Sequence, residues 1–561
     1  MPALLECVPN FSEGRNPDVI RQITARIEAV EGVALLHVDQ GHATNRTVVT
    51  FAGAPEAVIE AAFRAIQLAA ELIDMRQHAG EHPRMGATDV CPLVPISGIS
   101  LEETAVWSRR LAERVGSELG IPVYLYEAAQ PDPARRNLAV IRAGEYEGLA
   151  AKMRRAEWKP DFGPGAFNPR SGATVIGARD FLVAYNVNLN TTSTRRANAV
   201  AFDVREVGRP RRDGDPVTGK VVTDAAGQPV MIPGTLKAVK AIGWFIPEYG
   251  IAQVSMNLTD LAVTPLHVAF DEVCRSAEAR GMRVTGSELV GLVPLNTLLE
   301  AGRHFLRRQQ RSAGVSEAEL VKVAVASLGL SELAPFKPEE RVIEYRLRQA
   351  DERTLAGLSL GAFTDETASE SAAPGGGSIA AAMGAFGAAL GTMVANLSAH
   401  KRGWDARWAE FSDWAERGQR LKDELLRLVD EDTRAFNRVM AALALPKGTP
   451  SEQASRKAAI SSANLGATAV PLRVMEVASQ AFPLLEAMAE RGNPASASDA
   501  GVGALAARAA VRGAWLNVRI NLPGLADPAV AAQMLQDGER LARLAEAAES
   551  RVLALVETKL T

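Results

Sequence analysis

Across the first 330 residues apolar positions recur with a period that switches between two and about 3.6. "LLECVPNF", "VALLHVDQG" and "RTVVTFAG" alternate and are rich in branched residues, which predicts strands. "NPDVIRQITARIEAV" and "PEAVIEAAFRAIQLAAELID" repeat apolar residues every three or four positions, which predicts helices. The order strand, helix, strand, strand, helix, strand is the split βαβ pattern of a ferredoxin-like α/β sandwich. "GATVIGARDFLVAYNVNLN" starts a second such unit, after the Gly/Pro-rich connector "WKPDFGPGAFNPRSGAT". Residues 207–234 are polar and dense in Gly and Pro, and predict a hairpin excursion or loop. Beyond "FKPEERVIEYRLRQADERT" the pattern is helical throughout, with Pro446, Pro471 and Pro494 separating the pieces.

These changes of period predict a multidomain chain. Two ferredoxin-like α/β subdomains at 1–178 and 179–333 and a linker at 334–353 precede an all-α helix-bundle domain at 354–561. The apolar stretch "IAAAMGAFGAALGTMVANL" owes its hydrophobicity to Ala and Gly, with Gly387 and Gly391 at four-residue spacing. That composition suits close helix packing better than insertion in lipid, so no membrane span is expected.

A length of 561 residues calls for more than one core, and a net charge of −4 without a basic stripe gives no hint of a nucleic-acid partner, so none is expected. Cys7, Cys91 and Cys274 show no paired spacing and "MPALLECVPNFSEG" has no signal-peptide pattern, so a reducing cytoplasm is expected.

"QHAGEHPRMGATDVC" holds His78 and His82 four residues apart with Glu81 between them, the inverted zinc-protease spacing. Gly80 and Pro83 break the helix which that motif needs, and no third ligand follows, so no metal is expected. A surface pair at a helix end and a general base at the mouth of a strand, with Arg84, Asp89 and Cys91 nearby, are both compatible with the segment.

Further on, "APGGGSIAAA" sets Gly375, Gly376, Gly377 and Ser378 before a helix. This is either an anion-receptive helix start or a flexible linker with Ser378 as N-cap. Asp432 shares a helical face with Phe436, where burial would raise its pKa. Asn517 and Asn521 lie on a small-residue helix as groove ligands or packing contacts. In the connector, Phe167, Asn168 and Arg170 could stack on a heterocycle and pair with a carboxylate.

Longer motifs add a resemblance. "ECVPNFSEGRN", "ATNRTVVTFAG", "GEHPRMGATDVCPLVPI", "GPGAFNPRSGATVIGARDFLVAYNVNL" and "AQVSMNLTD" resemble glutamate formimidoyltransferases. "APGGGSIAAAMGAFGAALGTMVANLS", "VDEDTRAFNRVMAALALPKGT" and "RGNPASASDAGVGALAARAAVRGAWLNV" are similar to the cyclodeaminase half of the formimidoyltransferase-cyclodeaminase family. The resemblance implies transfer of a formimino group from N-formimino-L-glutamate to N5 of tetrahydrofolate, then ring closure to 5,10-methenyltetrahydrofolate with loss of ammonia, in histidine breakdown. It makes His82 the catalytic histidine of the first step and Asp432 the proton donor and acceptor of the second. It also makes Gly163, Pro164, Gly165, Ala166, Phe167, Asn168, Pro169, Arg170, Ser171 and Gly172 a folate-binding segment, with Gly375–Ser378 facing folate or its glutamate tail. Polyglutamylated tetrahydrofolate is the implied co-substrate, no metal is implied, and a homo-oligomer built from dimers is expected. The alternatives are a helical domain acting as a methenyltetrahydrofolate cyclohydrolase, or a folate-binding scaffold whose helical domain is inactive.

Overall fold

Strand alternation in the first residues has a direct structural consequence. In the computed structural model, which describes residues 3–42, 44–80, 83–214, 219–349, 354–371 and 373–560, Leu5 and Cys7 of β1 (Leu4–Cys7) are fully buried under helices. Glu6, between them, points to the other face. β1, β2 (Asn10–Phe11), β3 (Val33–Gly41), β4 (Arg46–Gly53), β5 (Thr88–Ser97), β6 (Val123–Glu127) and β7 (Thr174–Ala178) form one mixed sheet. β4 lies between β3 and β1, and β1 pairs antiparallel with β5, which gives the ferredoxin-like order. β7 and β6 extend that order as a parallel edge.

Helices Pro17–Glu28, Pro55–Leu72 and Leu101–Glu118 cover one face, burying Ile23, Ile27, Phe63, Ile66 and Leu111 against Leu5 and Cys7. Their starts are coded locally. Asn16 accepts from the Asp18 N–H ahead of Pro17, and Ser100 with Glu103 forms a capping box.

The second sheet runs Val239–Ile246, Ile251–Leu258, β8 (Val183–Leu189), Val284–Val290, antiparallel throughout. With helices Thr194–Val204 and Leu266–Glu278 this is again the split βαβ order. The 207–234 excursion forms two short ladders, Arg209–Pro210 with Met231–Ile232 and Arg212–Asp213 with Lys220–Val221.

The helical unit holds Gly376–Ala399, Trp408–Ala444, Pro450–Ser479, Phe482–Arg491, Ala497–Asn521 and Pro528–Leu560. Residues Gly302–Ala324, from the stretch expected in the second α/β subdomain, pack with it. The Ala313 N–H donates to Ser412 Oγ, and the Gly314 carbonyl accepts from Asn396 and Gln419. Gly376–Ala399 is central and, among the described residues, the one helix long and apolar enough to cross a membrane. Its small residues have a packing purpose: a Cβ on Gly387 would lie 2.8 Å from the Gly503 carbonyl oxygen.

One expectation fails here. Pro471 does not separate two helices but sits buried inside Pro450–Ser479. Without an N–H it leaves the Ala467 carbonyl, four residues back, without its helical donor. Asn521 Nδ2 from the neighbouring helix donates to that carbonyl at 2.8 Å. Asn521 is therefore a packing contact, and tertiary structure supplies the bond that the proline removed.

Candidate active sites

The uncovered faces of the two sheets line a cleft of about 1020 Å³. That is at the upper end of the roughly 300–1,000 Å³ typical of small-molecule sites. Glu6, Asn10, Asp39, Arg46, Thr50 and Pro92 come from the first sheet, and Ala184, Lys240, Asn257 and Val290 from the second. The strand-forming motifs of the sequence thus converge on one cavity. Arg136, Arg142, Arg179 and Lys240 join Arg46 as its cations, a set suited to ligands with several carboxylates. Arg46 binds Asn10 Oδ1, and Arg142 binds Asp89. None of these cleft residues was singled out from the sequence; the signal available was a glutamate inside an apolar alternating strand.

The histidine turn is tied to the same region. His82 and Glu81 lie outside the described residues, and the residues on either side of them make specific contacts. Asp89 accepts from the Met85 N–H at 3.0 Å while holding Arg142 at the cleft wall. Arg84 is buried and paired with Glu147 at 2.7 Å and Glu145 at 3.2 Å. Cys91 faces the core instead, its sulfur 3.4 Å from Cys7.

His78 Nδ1 accepts from Arg84 Nε at 3.2 Å, so its Nε2, 2.9 Å from the Asn45 carbonyl oxygen, carries the proton. This neutral tautomer agrees with a pKa lowered by burial. Asn45, in the left-handed region at φ 48°, also accepts from the Gly14 N–H and donates to the Ala79 carbonyl. His78 is an anchor of the turn.

The connector segment Gly163–Gly172 does not line the cleft. Gly163 and Gly172 have φ of 82° and 68°, and a Cβ on either would strike the Ile121 or Met85 carbonyl oxygen. Phe167 packs 5.6 Å from Tyr146, whose hydroxyl donates to the Pro169 carbonyl. Asn168 Oδ1 accepts from the Arg170 and Ser171 N–H groups, and the exposed Arg170 guanidinium binds the Glu71 carbonyl. Ser171 Oγ is buried with no hydrogen-bond partner among the described residues.

In the helical unit the glycine stretch and Asp432 meet. Gly375 is the N-cap of Gly376–Ala399, so Ser378 stands inside the first turn rather than capping it. The fully buried Ser378 Oγ shares its one proton between the Val429 carbonyl at 2.9 Å and Asp432 Oδ2 at 3.1 Å, and lies 3.2 Å from Thr433 Oγ1. A Cβ on Gly377 would sit 2.2 Å from Asp432 Oδ1, so only glycine lets the carboxylate reach the helix end. Burial raises the pKa of Asp432, and the hydroxyl and backbone N–H of Ser378 oppose that rise. The burying face is Leu425, Leu428 and Val429, whereas Phe436 is exposed. Asn517 approaches from a third helix: a Cβ on Gly376 would lie 3.2 Å from its Nδ2. A helix N-terminus and a hydroxyl hold the Asp432 carboxylate, and burial penalises its charged form.

Two sites of such different chemistry on one chain define a bifunctional enzyme. Comparisons with known proteins agree. Residues 4–179 match "Formiminotransferase domain, N-terminal subdomain", 184–348 "Formiminotransferase domain", and 359–540 "Formiminotransferase-cyclodeaminase". The formimidoyltransferase-cyclodeaminase of Gallus gallus is 44% identical over 560 residues, covering 100% of both chains. The glutamate formimidoyltransferase of Streptococcus pyogenes serotype M1 is 39% identical over 55% of this chain and 94% of its own. A methenyltetrahydrofolate cyclohydrolase of Methylorubrum extorquens is 41% identical over 35% of this chain and 95% of its own. The chain belongs to the formimidoyltransferase-cyclodeaminase family.

Proposed function

We propose that the α/β unit transfers the formimino group of N-formimino-L-glutamate to N5 of tetrahydrofolate. The helical unit then closes 5-formimidoyltetrahydrofolate to 5,10-methenyltetrahydrofolate and releases ammonia. The observation that carries this reading is the full-length similarity to relatives named for both activities.

In the first step N5 attacks the formimino carbon, His82 takes the N5 proton and returns it to the glutamate nitrogen, and that nitrogen leaves as the amine of glutamate. In the second, N10 attacks the same carbon of the protonated formimino group; Asp432 accepts the N10 proton and returns it to the departing nitrogen, which leaves as NH3 while the positive charge stays on the methenyl bridge. A carboxyl whose pKa burial raises supports that exchange. The exposed Phe386, Met393 and Leu397, at helical spacing on Gly376–Ala399, support self-association into a homo-oligomer. Three free cysteines support a reducing, cytoplasmic setting. Folate contact by Gly163–Gly172 is supported by the unsatisfied Ser171 hydroxyl. At Gly375–Ser378 the helix end already holds the Asp432 carboxylate, which supports a role in seating that acid beside the folate.

A second reading, cyclohydrolase activity of the helical unit, is favoured by its 41% identity to a protein of that name. Purified protein mixed with tetrahydrofolate and formiminoglutamate, with methenyl absorbance and ammonia followed separately, decides between them. Stoichiometric ammonia supports the cyclodeaminase. Accumulation of 5-formimidoyltetrahydrofolate without ammonia would overturn it.

A further inference from the structure

Glu6 is a carboxylate that the two steps above leave unused. Its neighbours Leu5 and Cys7 face the helices, so β1 alternation turns Glu6 onto the cleft face, where it is 5% exposed. Among the described residues its carboxylate has no hydrogen bond and no ion pair, its strand ladder bonds being those of the backbone. Arg179 acts on it only at longer range. The lining cations Arg46 and Arg142 are engaged elsewhere, with Asn10 and Asp89. A buried carboxyl without donors is costly, and a ligand that brings two N–H groups removes the cost.

We propose that Glu6 accepts the planar N–C–N donor edge of a substrate bound in the cleft. Two parts of the reactants present this edge: the formimino group, an amidine, and the 2-amino-lactam side of the pterin. Both place two N–H donors in one plane, and the two oxygens of a carboxylate accept such a pair side by side. The long lining cations hold carboxylates at the rim, while Glu6, short and fixed on a central strand, reads the nitrogen edge at the floor. The assignment rests on the transferase reading of the cleft.

The test is Glu6→Gln in the full-length protein, since glutamine keeps the shape and replaces one acceptor by a donor. If the formimino group is the occupant, KM for formiminoglutamate rises at least tenfold, while inhibition by glutamate, which lacks that group, and KM for tetrahydrofolate stay unchanged. If the pterin edge is the occupant, the dissociation constant of tetrahydrofolate rises at least tenfold and that of its 2-desamino analogue does not. Either result supports the assignment. Unaltered constants for both substrates overturn it. Wild-type protein devoid of formimino transfer would instead remove the transferase reading. Unchanged cyclisation of supplied 5-formimidoyltetrahydrofolate serves as the fold control. Should Glu6→Gln fail to fold, Glu6→Asp, which withdraws the carboxylate by one methylene, is measured in the same way.

Discussion

The Ser378 hydroxyl donates to the Asp432 carboxylate at 3.1 Å, joining the first turn of one helix to the middle of another. Burial raises the pKa of Asp432, while that bond and the Ser378 N–H oppose the rise. Asp432→Asn should lower ammonia release by about 10²–10⁴-fold, the usual worth of a positioned acid–base group, and leave formimino transfer intact. Because the raised pKa makes ionised Asp432 a burden at neutral pH, the variant should unfold no earlier than the wild type. Loss of transfer together with cyclisation would argue against the assignment.

The Gly377 site gives a steric counterpart. Gly377→Ala places a methyl against the Asp432 carboxylate and should cost about 1–3 kcal/mol as well as cyclisation. Gly466→Ala, in the Pro450–Ser479 helix with nothing near its Cβ position, should stabilise by about 0.5–1 kcal/mol. Chemical denaturation of the two variants separates close approach from helix propensity.

Pro471 and Asn521 should be energetically coupled. Asn521→Leu strips the Ala467 carbonyl of its donor at a cost of about 1–3 kcal/mol. With Pro471→Ala added, the helix supplies its own N–H and most of that loss should return. A double-mutant cycle showing simple additivity would sink the explanation.

Burial raises Glu6 from 4.5 to about 7, with Arg179 lowering and Glu344 raising it further. Below pH 4.5 both folded and unfolded chains keep the proton, and the group's stabilisation is fully present. As pH climbs the unfolded chain releases its proton first, so stability falls through the interval to about pH 7 by about 3 kcal/mol. Glu6→Gln should remove this slope, so the variant becomes the more stable protein at pH 8. Urea melts across that range provide the check.

The segment that leads up to His82 should depend on Asn45. Asn45→Ala deletes its bonds to Gly14 and Ala79 and leaves alanine at φ 48°, at a cost of about 2–4 kcal/mol. His82→Ala should abolish transfer yet spare cyclisation of supplied 5-formimidoyltetrahydrofolate. Near-normal transfer by that variant would remove His82 as the base.

Periodicity and composition by themselves determined the strand and helix order, both split βαβ units and the switch to an all-α region, because each pattern forces an apolar face inward. Long motifs pointed to the family and to Asp432. Only tertiary structure decided that Pro471 remains inside a helix, since the rescuing amide comes from 50 residues away in Asn521. It also decided that Gly377 opens room for a carboxylate and that the Glu6 carboxylate, unpaired among the described residues, stands in a cleft between two sheets. Each of these depends on which distant surface arrives opposite a residue, and a local pattern records only which way that residue faces.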